Sequence, residues 1–403
     1  MTTGSGVRRL TRPDPAHEEG PLGLLPESWR QATMHAPARN RLAPWCLLTP
    51  LFALGVAADA QRPVVGAIRW DAWTAGSEWE HNLGPAQWRD RLPFYGRETG
   101  PETVEIRADT QEVMDQEIAY AKAAGLDYWA YCFHLPTDLS QKPDEYAFKL
   151  HLASAHKSDV HFCFIMMGQG WWGPVAEYGR AAERLAQYFT DPAYQKVEGN
   201  RPLLYVYYTE NLAPHFGGEE QARAALDLIR SKAVEAGLGP PLIVAQVWHA
   251  AEGARLVDAL GFDAISAYAM VDLANWGDQE YPYRNLISGD RAFWESCKAT
   301  GKPVIPLVSA GWDNRPRWRD PKRYEELYKS KPRGPWYVQP TPAELAENLH
   351  SALDWMKADP DVTEPQAVLI YAWNETDEGG WLVPTHSEGA ARLDALADVL
   401  RTR

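Results

Sequence analysis

The stretch AVLIYAWNETDEGGWLVPT, residues 367–385, runs from a plain apolar segment straight into carboxylates, glycines and tryptophans. Ala367 to Tyr371 has the character of a buried strand, and the acidic segment after it reads either as a solvated turn or as the working end of a site. Local composition does not choose between the two. The place of the segment in the whole chain does.

Working back from it, seven more runs of the same kind precede it: VVGAIRW (64–70), YWAYCFH (128–134), VHFCFIMM (160–167), PLLYVYY (202–208), PLIVAQV (241–247), AISAYA (264–269) and PVIPLVS (303–309). Between them lie segments with helical spacing. In TQEVMDQEIAYAKAAG (110–125) Val113, Ile118 and Ala121 fall near one face; in EEQARAALDLIRSKAVEAG (219–237) Ala225, Leu226, Ile229 and Ala233 do the same, and both segments stop at glycine. Strands that are apolar throughout, separated by helices, argue for a parallel sheet covered on both faces. Eight such units predict an α/β chain folded as a single-domain (β/α)8 TIM barrel, with long loops after strands 1 and 7 at 74–105 and 311–340. A doubly wound open sheet is the alternative. The closing helical segment HSEGAARLDALADVLRTR (386–403) favours the barrel, because the last strand then has its helix.

The chain has 403 residues, 45% hydrophobic and 23% charged, enough for a large core. Its net charge of -14 repels nucleic acid and anionic membrane surfaces over most of the exterior. The 18 tryptophans are far more than a core needs, so a use for indole faces is expected. At RNRLAPWCLLTPLFALGVAADAQRP (39–63), arginines, an apolar run and Ala58-Asp59-Ala60 follow the grammar of a secretory signal. Residues 1–60 are therefore read as a leader with a signal peptide, Met34 being an alternative start, and 61–403 as the barrel, secreted or periplasmic. An apolar segment packed on the body is the competing reading. The run is too short and proline-broken for a stable membrane span. Cys132, Cys163 and Cys297 have no disulfide or metal spacing, and no metal or cofactor is expected.

In a barrel of this kind chemistry sits at the C-terminal ends of the strands. Those ends carry Asp71 and Trp73; Tyr131 and His134; Gln169, Trp171 and Trp172; Tyr207 and Tyr208; Gln246 and Trp248; Tyr268; Trp312, Asp313 and Arg315; and finally Trp373, Asn374, Glu375, Asp377, Glu378 and Trp381. Pyranose C–H faces pack on indoles while hydroxyls need forked donors and acceptors, so this rim predicts a carbohydrate partner. Glycoside hydrolysis needs one carboxyl that holds a proton and one that stays ionised. Glu375 and Glu378, on a turn made tight by Gly379 and Gly380, are the candidates.

NETDEGGWLVP, together with GWDNRPR after the seventh run, GSEWEHNLGPAQW after the first and AYQKVEGNRPLLYVYY through the fourth, resembles the glycoside hydrolase family 99-like proteins. These are related to families 71 and 99 and to relatives from O-antigen clusters. The likeness spans about residues 64–400 and is strongest where the family carries N-E-W-H-E-G: its glutamates fall on Glu375 and Glu378, its glycine on Gly379. The resemblance implies a retaining (β/α)8 glycosidase, endo-acting on α-mannosides in characterised members. There the substrate's own 2-hydroxyl attacks and gives a 1,2-anhydro sugar. Carried over, Glu375 is the base toward that hydroxyl and Glu378 the general acid/base. Thr376 and Asp377 stand where the family has Trp-His, a change that bears on the substrate.

Three other signals are set aside. GQGWWG (168–173) matches a dinucleotide fingerprint, but Trp171 and Trp172 block the close backbone approach it needs. His151, His156 and His161 step by five, which scatters them around a helix. The basic run RPRWRDPKRYEELYKSKPRGPW is read as a substrate-side loop in an acidic chain. A glycan-binding or polysaccharide-assembly protein without turnover, and a role in glycosyl transfer, are the competing functions.

Overall fold

In a computed structural model of the chain, the structure describes residues 62–135, 145–167, 172–271, 277–319 and 334–403. All of these belong to one compact unit, Asp59–Arg403. The leader reading at 1–60 lies outside the described residues.

Each of the eight apolar runs contains a strand of one parallel sheet: β1 (Val64–Arg69), β2 (Tyr128–Phe133), β3 (His161–Met167), β4 (Arg201–Tyr207), β5 (Leu242–Gln246), β6 (Ala264–Ser266), β7 (Leu307–Ser309) and β8 (Ala367–Tyr371). Their order is β7-β8-β1-β2-β3-β4-β5-β6. Val64 pairs with Ala367, so the last strand lies beside the first. Closure comes from the seventh run, where Ile265 N donates to Pro303 O at 2.8 Å and Ile305 N to Ile265 O at 2.9 Å. Pro303 and Pro306 have no N–H to give, which is why the ladder there narrows to a bridge and β7 proper starts only at Leu307. The open-sheet alternative falls away.

Between and after the strands run α1 (Gln111–Ala124), α2 (Tyr146–Ala153), α3 (Tyr178–Phe189), α4 (Glu219–Glu235), α5 (Ala250–Leu260), α6 (Arg284–Lys298), α7 (Pro342–Ala358) and α8 (Ala391–Leu400). Their ends follow local chemistry. Thr110 caps α1 by accepting from Val113 N, Gly125 ends it in the left-handed conformation, and Thr341 with Glu344 forms a capping box on α7. On α4 the expected Ala225, Leu226, Ile229 and Ala233 are all buried. Inside the barrel the hydroxyls of Tyr128 and Tyr205 meet at 2.9 Å, and Tyr128 also donates to Val368 O. Gly66 makes room for that ring, since a Cβ there would lie 2.4 Å from it. Among the described residues no helix is long and apolar enough to cross a membrane.

The loop after β1 is not irregular. It holds a short helix (Glu80–Leu83), a 3-10 turn (Ala86–Arg91) and a hairpin (Gly96–Gly100 with Thr103–Ile106), packed around Trp73, Leu83, Trp88 and Ile106. This small layer lies against the end of β8. Asn82 Nδ2 donates to Asp377 at 2.9 Å across it.

Candidate active site

The acidic segment after β8 folds into a tight hairpin rather than a solvated turn. Asn374 pairs with Trp381 and Glu375 with Gly380, and Glu378 N closes the tip onto Glu375 O at 3.1 Å. Gly379, at φ +83, lets the tip press against the loop after β7, because a Cβ there would lie 2.4 Å from Asp313 N. Asp313 N in turn donates to Glu378 O at 2.6 Å. That docking delivers the 3-10 turn Arg315–Arg319, and with it Arg317, to the hairpin.

Glu375 and Glu378 are each only 3% exposed. Tyr268, just beyond β6, donates its hydroxyl to Glu375 Oε1 at 2.8 Å, and Tyr371, the last residue of β8, donates to Glu378 Oε2. Arg317 takes the other oxygen of each: Nη2 donates to Glu375 Oε2 at 3.1 Å and Nη1 to Glu378 Oε1. The same guanidinium grips Asp377, Nε at 2.7 Å and Nη2 at 3.0 Å. Three buried carboxylates thus ring one cation. Burial, reinforced by the charge of Glu378, pushes the Glu375 carboxyl well above the usual range against the pull of Arg317. Burial likewise raises the phenols of Tyr268 and Tyr371, which stay donors.

Around this centre, Tyr207 stacks on Tyr268 with ring centroids 4.6 Å apart, Tyr208 lies tilted against Tyr207 at 4.1 Å, and Trp312 lies 5.7 Å from Tyr371. Asp313 joins Arg91 and Arg315; although burial works the other way, these guanidiniums hold its carboxyl below the usual range. Trp381 is buried under Arg392, whose guanidinium carbon lies 3.8 Å from the ring centroid. Trp248 is half-buried at the end of β5.

Several residues expected on the rim are engaged elsewhere. Tyr131 faces the helices, its hydroxyl 2.9 Å from His151 Nδ1 in α2, because inward and outward positions alternate along β2 and Tyr128 takes the inward set. Trp373 turns outward and donates to Glu117 of α1 at 2.8 Å. Asp71 pairs with Arg69 at 2.9 Å, and Asn374 ties β8 to β1 by accepting from Trp70 N. Trp73 is fully buried in the loop layer and donates to Asn374 O. His134 lies against Glu145. Trp172 is buried, with its ring 6.2 Å from those of Tyr178 and Phe216. Trp171 and Gln169 lie outside the described residues.

Arg317 and Tyr371 are participants that the sequence does not single out. Arg317 lies in the quoted GWDNRPR, but nothing in that string separates it from Arg315. Tyr371 reads as one more apolar residue of a strand.

A family model described as Glycosyltransferase WbsX matches residues 106–396. The chain belongs to that family. The matched stretch runs from the end of the loop-1 hairpin into α8 and contains both glutamates. No curated protein matches the chain. Two solved structures similar to it are both described as the GH99 endo-alpha-mannosidase of Bacteroides thetaiotaomicron. One, in complex with bis-tris propane, has a TM-score of 0.52 at 12% identity over 84% of this chain and 97% of that one. The other has a TM-score of 0.50 at 14% identity over the same shares. At such identity the likeness carries the barrel fold. With the family match it upholds the family 99-like resemblance.

Proposed function

We propose that the protein is a glycoside hydrolase in which Glu375 and Glu378 are the acid/base pair. One observation carries this reading: two glutamates three residues apart sit buried on one hairpin tip beyond β8, each accepting from a tyrosine and both sharing Arg317. One carboxyl that holds a proton beside one that stays ionised is what cleavage of a glycosidic bond needs, and burial pushes Glu375 toward the first of these. The resemblance gives Glu375 the base role toward a 2-hydroxyl and Glu378 the acid/base role, with retention through a 1,2-anhydro sugar. The two structural relatives, described as endo-alpha-mannosidases, support an endo-acting choice of α-mannoside-type linkages. The signal grammar at 39–60 supports secretion, and a mature chain beginning at Gln61 is the outcome expected from N-terminal sequencing of secreted material.

The test is a screen of α-mannans and bacterial exopolysaccharides for released reducing ends, with product anomers followed by NMR. Glu378→Gln is expected to lower turnover by about 100-fold or more with the fold unchanged. Wild-type turnover by that variant would sink the assignment. A second reading is favoured by Arg317, which occupies an oxygen of both glutamates: a glycan-binding protein that uses the same cleft without turnover. Glycan binding in the absence of released reducing ends would select it. Binding of a nucleotide sugar would select glycosyl transfer.

A further inference from the structure

Among the described residues, the four carboxylate oxygens of Glu375 and Glu378 meet two kinds of donor. One oxygen of each meets Arg317, the other a tyrosine hydroxyl. We propose that Arg317 is the positioning residue of the glutamate pair, anchored by Asp377 and Asn82, so that Glu375 Oε1 and Glu378 Oε2 are the oxygens presented to a sugar. The proposal rests on the reading of these glutamates as the acid/base pair.

The guanidinium is fixed along its edge and against its faces. Asp377 binds it bidentately through Nε and Nη2, and Asp377 Oδ2 also accepts from Asn82. The rings of Trp70 and Trp79, set edge-to-face to each other, lie 4.8 and 5.0 Å from its central carbon. Only a planar fork presents donors to three carboxylates at once; a lysine ammonium is a point charge on a flexible stem. Both oxygens of Asp377 are engaged, and the residue is fully buried, so it acts as the counter-ion of Arg317 and not as a reactant. Displacing the guanidinium would strand charge on both sides of a buried contact. Displacing a tyrosine hydroxyl replaces one O–H donor with another, and a sugar hydroxyl offers the same group. That asymmetry decides which oxygens face the substrate.

Among the described residues, the groups facing the pair are Asp377 on its own hairpin, Arg317 from the loop after β7, and Tyr268, Tyr371 and Tyr207 from the barrel. Cys132 lies beyond Tyr268, and Asp313 with Arg91 and Arg315 beyond the hairpin tip. The experiment is a pH titration of the glutamate carboxyl carbons by NMR on the full chain, without substrate, using Glu375→Gln and Glu378→Gln to assign the signals. Arg317→Gln is expected to raise the pH at which the pair takes up its proton by about one unit or more, since a nearby cation favours the charged form. Arg317→Lys, which keeps a charge but not the fork, is expected to raise it part of the way, and it carries the test if the glutamine variant fails to fold. Tyr371→Phe is expected to move it less than Arg317→Gln does. An unchanged midpoint in the arginine variants overturns the proposal. Movement of the midpoint in a protein that releases no sugar keeps the positioning role and rejects the hydrolase reading; sugar release with an unmoved midpoint does the reverse.

Discussion

Two buried arginines in this molecule, Arg69 and Arg317, are each ringed by carboxylates and tryptophans. Arg69, on β1, donates to Glu117 of α1 at 2.8 Å and to Asp71 at 2.9 Å, with Trp129 against its guanidinium at 4.6 Å. Trp373 donates to the other oxygen of Glu117, so the cluster rivets β1, α1 and the end of β8 together. Each of its partners comes from a different element of the wall. Arg317 differs in that its three carboxylates all come from one short hairpin, Asn374–Trp381, at the strand ends. Arg317 and Asn82 do tie that turn to the loops after β7 and β1, but crowding three carboxylates onto one buried turn costs desolvation that such a tie does not require. A buried ionic cluster that ties elements together is explained by the fold. One that crowds carboxylates onto a single loop needs a chemical reason.

Breaking the rivet is expected to have the largest effect on stability. Glu117→Ala leaves Arg69 buried without its deepest partner and is expected to cost about 3–5 kcal/mol in urea unfolding. The proton uptake of the Glu375–Glu378 pair should not move; if it does, the two clusters are coupled and the comparison fails.

A smaller effect concerns pH. Burial pushes the Asp71 carboxyl up to about 6, against the opposing pull of Arg69. A carboxyl raised above its unfolded value binds its proton more tightly in the folded state. Its contribution is therefore fully present below about pH 4 and is lost as pH rises through about 6, on the order of 3 kcal/mol across that window. Asp71→Asn is expected to flatten this slope in unfolding curves taken from pH 4 to 7. An unaltered slope would show that Asp71 is not the titrating member of the rivet.

The smallest change in stability is expected at Trp248, half-buried on the rim. Trp248→Ala should shift unfolding by no more than about 0.5 kcal/mol. It should nonetheless weaken glycan binding, read as a raised KM with kcat little changed. A large loss of stability would place Trp248 with Trp73, as packing.

Much of this architecture is legible in the sequence because its signals are local. Apolar runs, caps such as Thr341 with Glu344, and the stop at Gly125 each act within a few residues. The position of Glu375 and Glu378 is legible for a related reason: once the eighth run is the last strand, the segment beyond it lies at the barrel mouth. The aromatics are less readable. Strands covered on both faces are apolar on both faces, so nothing in YWAYCFH tells that Tyr128 points inward and Tyr131 outward. Asp71, Trp73, Asn374 and Trp373 read as rim residues because they come after strands, yet Trp73 is engaged in the loop layer and the other three in the wall.

The sequence by itself determined the barrel, the order of its eight units and the place of the glutamate pair, because periodicity, capping and chain order are properties of neighbouring residues. Only the tertiary structure decided the company that pair keeps. Arg317 lies 58 positions from Glu375, and Tyr268 lies 107. Which distant side chains converge depends on how loops dock over the closed sheet, and no spacing along the chain encodes that. The same docking gave Asp377 its role: read as a change within an acidic motif, it is in the folded chain the counter-ion of Arg317.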